Sequence, residues 1–136
     1  MNQHFLAFGI ACIQLLFHFD ARANPSYDSI SKCFWVYAPI HELAKDLRLQ
    51  DLQFFTQGRI GWFTGFIQAN KGNQLFNNAF NFQLEERKTA GLKMKEELRY
   101  AIQSGNNMSY QKIILKAIDC DKLLEIPTLS IPEIGK

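Results

Sequence analysis

Two cysteines constrain this chain more than any other feature. Cys33 and Cys120 stand 87 positions apart, and the third cysteine, Cys12, lies in an apolar leader. In an exported protein an even pair reads as one disulfide, with one possible connectivity. It would tie the beginning of the fold to its end. On the chain-entropy account a bridge across such a loop contributes about 4–5 kcal/mol. A metal pair or a redox pair is the competing reading, but no CxxC and no close Cys–His spacing accompanies either residue. The sequence therefore implies no metal and no cofactor.

Export is read from residues 1–23. Phe5 to Phe17 is apolar apart from Gln14, and Ala21-Arg22-Ala23 follows as an A-x-A cleavage site. The run is shorter than the roughly 20 residues that span a bilayer. Its start, Met1-Asn2-Gln3-His4, lacks the usual basic residue. Cys12 does not mark a lipobox, because the apolar run continues through Ile13, Leu15, Leu16 and Phe17. The expected division is a cleaved signal peptide over 1–23, one helical domain over 24–126, and an extended or disordered tail over 127–136. That places the protein in the periplasm or outside the cell, with no stable membrane insertion after cleavage.

The remaining chain has the periodicity of helices. Ile30, Cys33, Phe34, Tyr37, Ile40, Ala44 and Leu47 recur at three- and four-residue spacing, which predicts a helix from Tyr27 to about Arg48. Ser26 or Asp28 would cap it, and Pro39 would bend or break it. A second helix is expected from Leu52 to Asn70, with Asp51 as cap and Gly72 in the left-handed position after its end. A third would run from Gln74 to Ser104, its Asn-rich start frayed or separate. Ser104-Gly105-Asn106-Asn107 is a turn, and a fourth helix, capped by Asn107 or Ser109, would reach Glu125 before Pro127 stops it. No alternating strand pattern appears. The expected fold is all-α, a small four-helix bundle-like domain with the Cys33–Cys120 disulfide.

FFTQGRIGWFTGFIQA, from Phe54 to Ala69, is the unusual stretch. As a helix it aligns Gly58, Gly61, Gly65 and Ala69 beside an apolar arc containing Phe55, Trp62 and Phe66. Each interior glycine costs about 0.5–1 kcal/mol against alanine. Close approach by another backbone is the expected reason: a helix-packing surface within the monomer, with a dimer contact or a small-molecule groove as alternatives. The spacing is not that of a phosphate-binding loop. Arg59 falls inside the apolar arc. A buried guanidinium needs a carboxylate, and Glu42, Asp46, Glu85, Glu86, Asp119 and Asp121 are the candidates; otherwise Arg59 is an anion site.

Groupings for catalysis are sparse. His41 is the one histidine after residue 23, and no nucleophile motif accompanies it. Trp35, Phe54 and Phe82 fit the apolar stripes poorly and form a possible partner surface. Asn107-Met108-Ser109 is an N-glycosylation sequon. The 15 Lys and Arg against 13 Asp and Glu give a formal charge of +2, far from the basic excess of a nucleic-acid binder.

The run Gly61-Trp62-Phe63-Thr64-Gly65-Phe66-Ile67-Gln68-Ala69 resembles the glycine–aromatic–glycine helix of small periplasmic immunity proteins that neutralise secreted bacterial effectors. Those proteins are exported, helical and disulfide-linked. The cysteine beside that helix is missing here, and the other half of the chain does not match. The resemblance implies a binding role in the periplasm. The expectation from all of this is an exported, non-enzymatic helical protein that binds a protein partner or self-associates, in an immunity, inhibitor or stress-type role. The alternative is a carrier of a small anionic or lipid-like ligand in a cavity beside the glycine-rich helix.

Overall fold

Ser26 opens the first helix: its hydroxyl accepts the backbone N–H of Ser29 at 3.1 Å. The computed structural model describes residues 25–127 and Pro132. The signal peptide expected over 1–23 lies outside the described residues, as does most of the tail expected over 127–136. The described residues form five helices and no strand: α1 (Tyr27–Asp46), α2 (Gln50–Asn70), α3 (Gln74–Asn81), α4 (Leu84–Ser104) and α5 (Asn107–Leu123).

The fifth helix arises because the long third segment divides. Phe82 is extended, and Gln83 takes a left-handed backbone conformation, φ +52°. The Asn-rich start thereby becomes α3, a separate short helix capped by Asn73, whose side chain accepts from the N–H groups of Leu75 and Phe76. Other ends also differ from expectation. Leu49, not Asp51, holds the N-cap position of α2, without a side-chain cap bond, and Asp51 sits in the first turn. Asn106 caps α5 through Ser109 N–H at 3.1 Å. Gly72 is not left-handed; Gly105, after α4, is the glycine with positive φ among the described residues.

Three helices end in the same way. Leu49 N–H bonds Ala44 O and Arg48 N–H bonds Lys45 O after α1. The same pair of bonds closes α4 at Gly105 and Asn106, and α5 at Glu125 and Ile126. This is the Schellman arrangement, which needs a left-handed residue just past the helix. Arg48 and Glu125 fill that position at φ +55° without being glycine.

Helix α1 is the element about which the others are arranged. It packs against each of the other four, and α4 packs on α5. Its Ile30, Tyr37, Ile40 and Leu43 are fully buried, meeting Phe55 and Phe63 of α2, Leu98 of α4 and Ile114 of α5. The Cys33–Cys120 disulfide links α1 to α5, with Cα atoms 5.5 Å apart.

The close backbone approach lies elsewhere than expected. Gly58, Gly61, Gly65 and Ala69 are all exposed. Among the described residues, no atom lies within 4 Å of a Cβ placed on any of the three glycines. They do not form a packing surface within the monomer, because α2 turns Leu52, Phe55, Arg59 and Phe63 inward instead. The glycine that does permit contact is Gly91 of α4. A Cβ there would stand 2.7 Å from Trp35 O and 3.0 Å from Pro39 Cγ. Helix α1 runs unbroken through Pro39. Proline has no N–H for the carbonyl four residues earlier, which is that of Trp35. Gly91 brings α4 against that carbonyl.

Candidate functional site

Three features could carry function: the buried charges around Arg59, the outer face of α2, and a hollow between α1 and α4.

Arg59 is 6% exposed, and its partner Asp121 of α5 is fully buried. Nε reaches Oδ1 at 3.2 Å and Nη2 reaches Oδ2 at 2.7 Å, so the carboxylate is gripped by two bonds. Nη1 donates to Phe55 O at 2.8 Å, and the guanidinium lies 4.8 Å from the centre of the Phe55 ring. Tyr37 completes the cluster. Its hydroxyl stands 2.5 Å from Asp121 Oδ1 and 2.8 Å from Ala117 O. Burial, reinforced by the adjacent Asp121, pushes the Tyr37 phenol well above its ordinary range. Burial alone would lower the Arg59 guanidinium, but its bonds to Asp121 hold it above its ordinary value. Of the candidate carboxylates, Asp121 is the one that meets Arg59. The group is an ion pair joining α2 to α5 beside the disulfide, since Cys120 immediately precedes Asp121. With its charge already met, Arg59 is not placed to receive the head group of an anionic ligand.

His41 is half-buried and pairs with Thr56 of α2, Nδ1 to Oγ1 at 2.8 Å. The Thr56 hydroxyl also lies 2.9 Å from Leu52 O and 3.2 Å from Gln53 O, within its own helix. Burial, helped by Lys45, lowers the imidazole below its ordinary value. Among the described residues, no group of three or more His, Cys, Asp and Glu could hold a metal ion. No helix among them is long and apolar enough to cross a membrane.

The outer face of α2 carries Phe54, Gly58, Gly61, Trp62, Gly65, Gln68 and Ala69, all exposed and none charged. Phe54 is 69% exposed and Trp62 36%. The sequence grouped Phe54 with Trp35 and Phe82, and the structure separates the three. Phe54 projects from α2. Phe82 is exposed at the α3–α4 junction, with Arg87 5.8 Å from its ring. Trp35 is half-buried on α1 against Phe34.

Arg87 is the residue that the sequence reading passed over. It sat in the apolar stripe of the third segment between Leu84 and Gly91, the same signal that singled out Arg59. It is 9% exposed and pairs through Nη2 with Asp28. Asp28 also holds Lys32 at 2.7 Å, and the two cations keep its carboxyl below the usual range, Lys32 contributing most. Arg87 Nε and Nη1 and Trp35 Nε1 are buried without a partner among the described residues. Both residues line a hollow of about 180 Å³ between α1 and α4. The carrier reading put its cavity beside the glycine helix, whereas this hollow lies beside Gly91. No protein-family model matches the chain, and comparison with curated proteins and with solved structures returned no match.

Proposed function

We propose that this chain is an exported, non-enzymatic protein that acts by docking α2 against a helix of another protein, and that a second copy of itself is that partner. The observation that carries the reading is the solvent-facing, uncharged strip of Phe54, Gly58, Gly61, Trp62, Gly65 and Ala69. Three glycines in little more than two turns weaken α2 by about 0.5–1 kcal/mol each. Nothing among the described residues uses the space they leave. A helix from outside does use it, because small residues at four-residue spacing let two backbones approach closely. A two-fold interface sets one patch against its own copy. Charges on such a patch would meet like charges, and this strip has none. The Cys33–Cys120 bridge suits an oxidising compartment, which supports export. An immunity, inhibitor or stress-type role is compatible with a protein that docks in this manner.

Sedimentation equilibrium on the oxidised, exported chain tests this. The expected result is a dimer that Gly61→Leu and Gly65→Leu convert to monomer while thermal stability holds or rises. A wild-type chain that remains monomeric at every concentration, and whose capture of envelope proteins is unchanged by the two substitutions, overturns the reading.

A further inference from the structure

We infer that the hollow between α1 and α4 binds a small carboxylate carrying a short apolar body, of the size of a medium-chain fatty acid. The site is distinct from the α2 face and independent of it. Its charged lining residues are Lys32, Arg87 and Lys116, with no carboxylate among them. Asp28, held by both Lys32 and Arg87, offsets one of these charges and leaves a net positive mouth. Lys116 forms no ion pair among the described residues and is exposed.

Two of the lining residues, Arg87 and Trp35, carry buried donors just behind the wall that lack acceptors among the described residues. Arg87 is nine-tenths buried, yet its Nε and Nη1 have no partner among the described residues, and neither has Trp35 Nε1. Guanidinium and indole nitrogens donate and cannot accept. A buried donor without an acceptor is costly, and such groups are normally satisfied by protein, water or ligand. A carboxylate drawn into the hollow supplies oxygen acceptors as the Arg87 side chain turns toward it, and it matches the guanidinium in charge as well.

The rest of the lining is apolar: Trp35, Val36, Ala90, Gly91 and Met94. At about 180 Å³ the hollow exceeds the roughly 150 Å³ of an engineered apolar cavity that takes up benzene. It is too apolar for inorganic phosphate to fill well, and too cationic for a neutral hydrocarbon to be the best occupant. Gly91 seats α4 on the Trp35 carbonyl at the edge of this hollow.

The test is titration of the oxidised, isotope-labelled full chain with octanoate, octanol and inorganic phosphate in parallel. Melting temperature and the two indole N–H resonances are followed, with Trp35→Phe assigning the Trp35 signal. Octanoate is expected to raise the melting temperature and move the Trp35 indole resonance downfield as its N–H gains an acceptor. Octanol should bind at least about tenfold more weakly, as should octanoate to Arg87→Met, since a hydrogen bond to a charged group is lost. Should Arg87→Met fail to fold, Ala90→Phe fills the hollow from an exposed lining position and leaves every charge in place. It should abolish the octanoate response. The inference is overturned if octanol or phosphate matches octanoate, if octanoate produces no response, or if the response persists in Ala90→Phe.

Discussion

Asp121 shows how much of the chemistry hangs on single side chains. It is fully buried, it neutralises Arg59 from across the fold, and Tyr37 donates into the same carboxylate. An isolated buried ion is unfavourable, and a well-bonded pair repays the desolvation without adding much beyond it. Breaking one member is therefore far worse than removing both. Asp121→Asn should lower unfolding free energy by about 3–5 kcal/mol in urea titrations, and Arg59→Met combined with Asp121→Leu should recover most of that loss. A cost under about 1 kcal/mol for Asp121→Asn would mean that Arg59 has other means of keeping its charge satisfied. The sequence placed Arg59 on an apolar arc and so required a carboxylate. It offered no way to choose Asp121 over Glu42 or Glu85, because the choice depends on how α5 lies across α2.

Helix ends and helix contacts show the same division at the scale of elements. Gly105 was readable as a terminator because glycine takes positive φ without strain. Arg48 and Glu125 do the same work with side chains that signal nothing, so the ends of α1 and α5 could be placed only approximately. The division at Phe82–Gln83 was visible only as a weak Asn-rich start. The glycines invert the expectation drawn from composition. Four small residues in α2 looked like a packing surface and face solvent; the lone Gly91 of α4 meets the carbonyl released by Pro39. The same substitution should then have opposite effects in two helices. Gly91→Ala should destabilise by about 1–3 kcal/mol, because the backbone must shift to admit a methyl group. Gly65→Ala should stabilise the protomer by up to about 1 kcal/mol through helix propensity. Thermal melts of the two variants under dissociating conditions check both signs, and equal shifts would show that propensity alone governs them.

For the molecule as a whole, the disulfide and α1 act together. Helix α1 touches every other helix, and Cys33 fastens it to α5 at the far end of the chain. The bridge restricts the unfolded chain far more than a short loop would. Reduction should lower unfolding free energy by about 4–5 kcal/mol on the chain-entropy account, measured by urea denaturation with and without reductant. An unchanged midpoint after complete reduction would show that the reduced unfolded chain already holds its ends together. The Arg59–Asp121 pair lies beside the same bridge, so its loss and reduction should be less than additive, because the two act on neighbouring residues of α5.

Helical class, the approximate spans of α1, α2 and α5, and, with Cys12 assigned to the leader, the pairing of Cys33 with Cys120 were legible in the sequence alone. Three- and four-residue apolar spacing is a local property, and one cysteine pair admits one bridge. Which helix stands at the centre, which glycines are covered, and which carboxylate meets each arginine were decided only by the tertiary structure. Each of those depends on how one helix is rotated about its axis against another. A rotation of about 100° per residue means that a small change in helix orientation exchanges a buried face for an exposed one. The α2 glycines lie on the solvent side of that rotation. The hollow beside Arg87 exists because α4 approaches α1 at Gly91, a contact made by residues far apart in the chain.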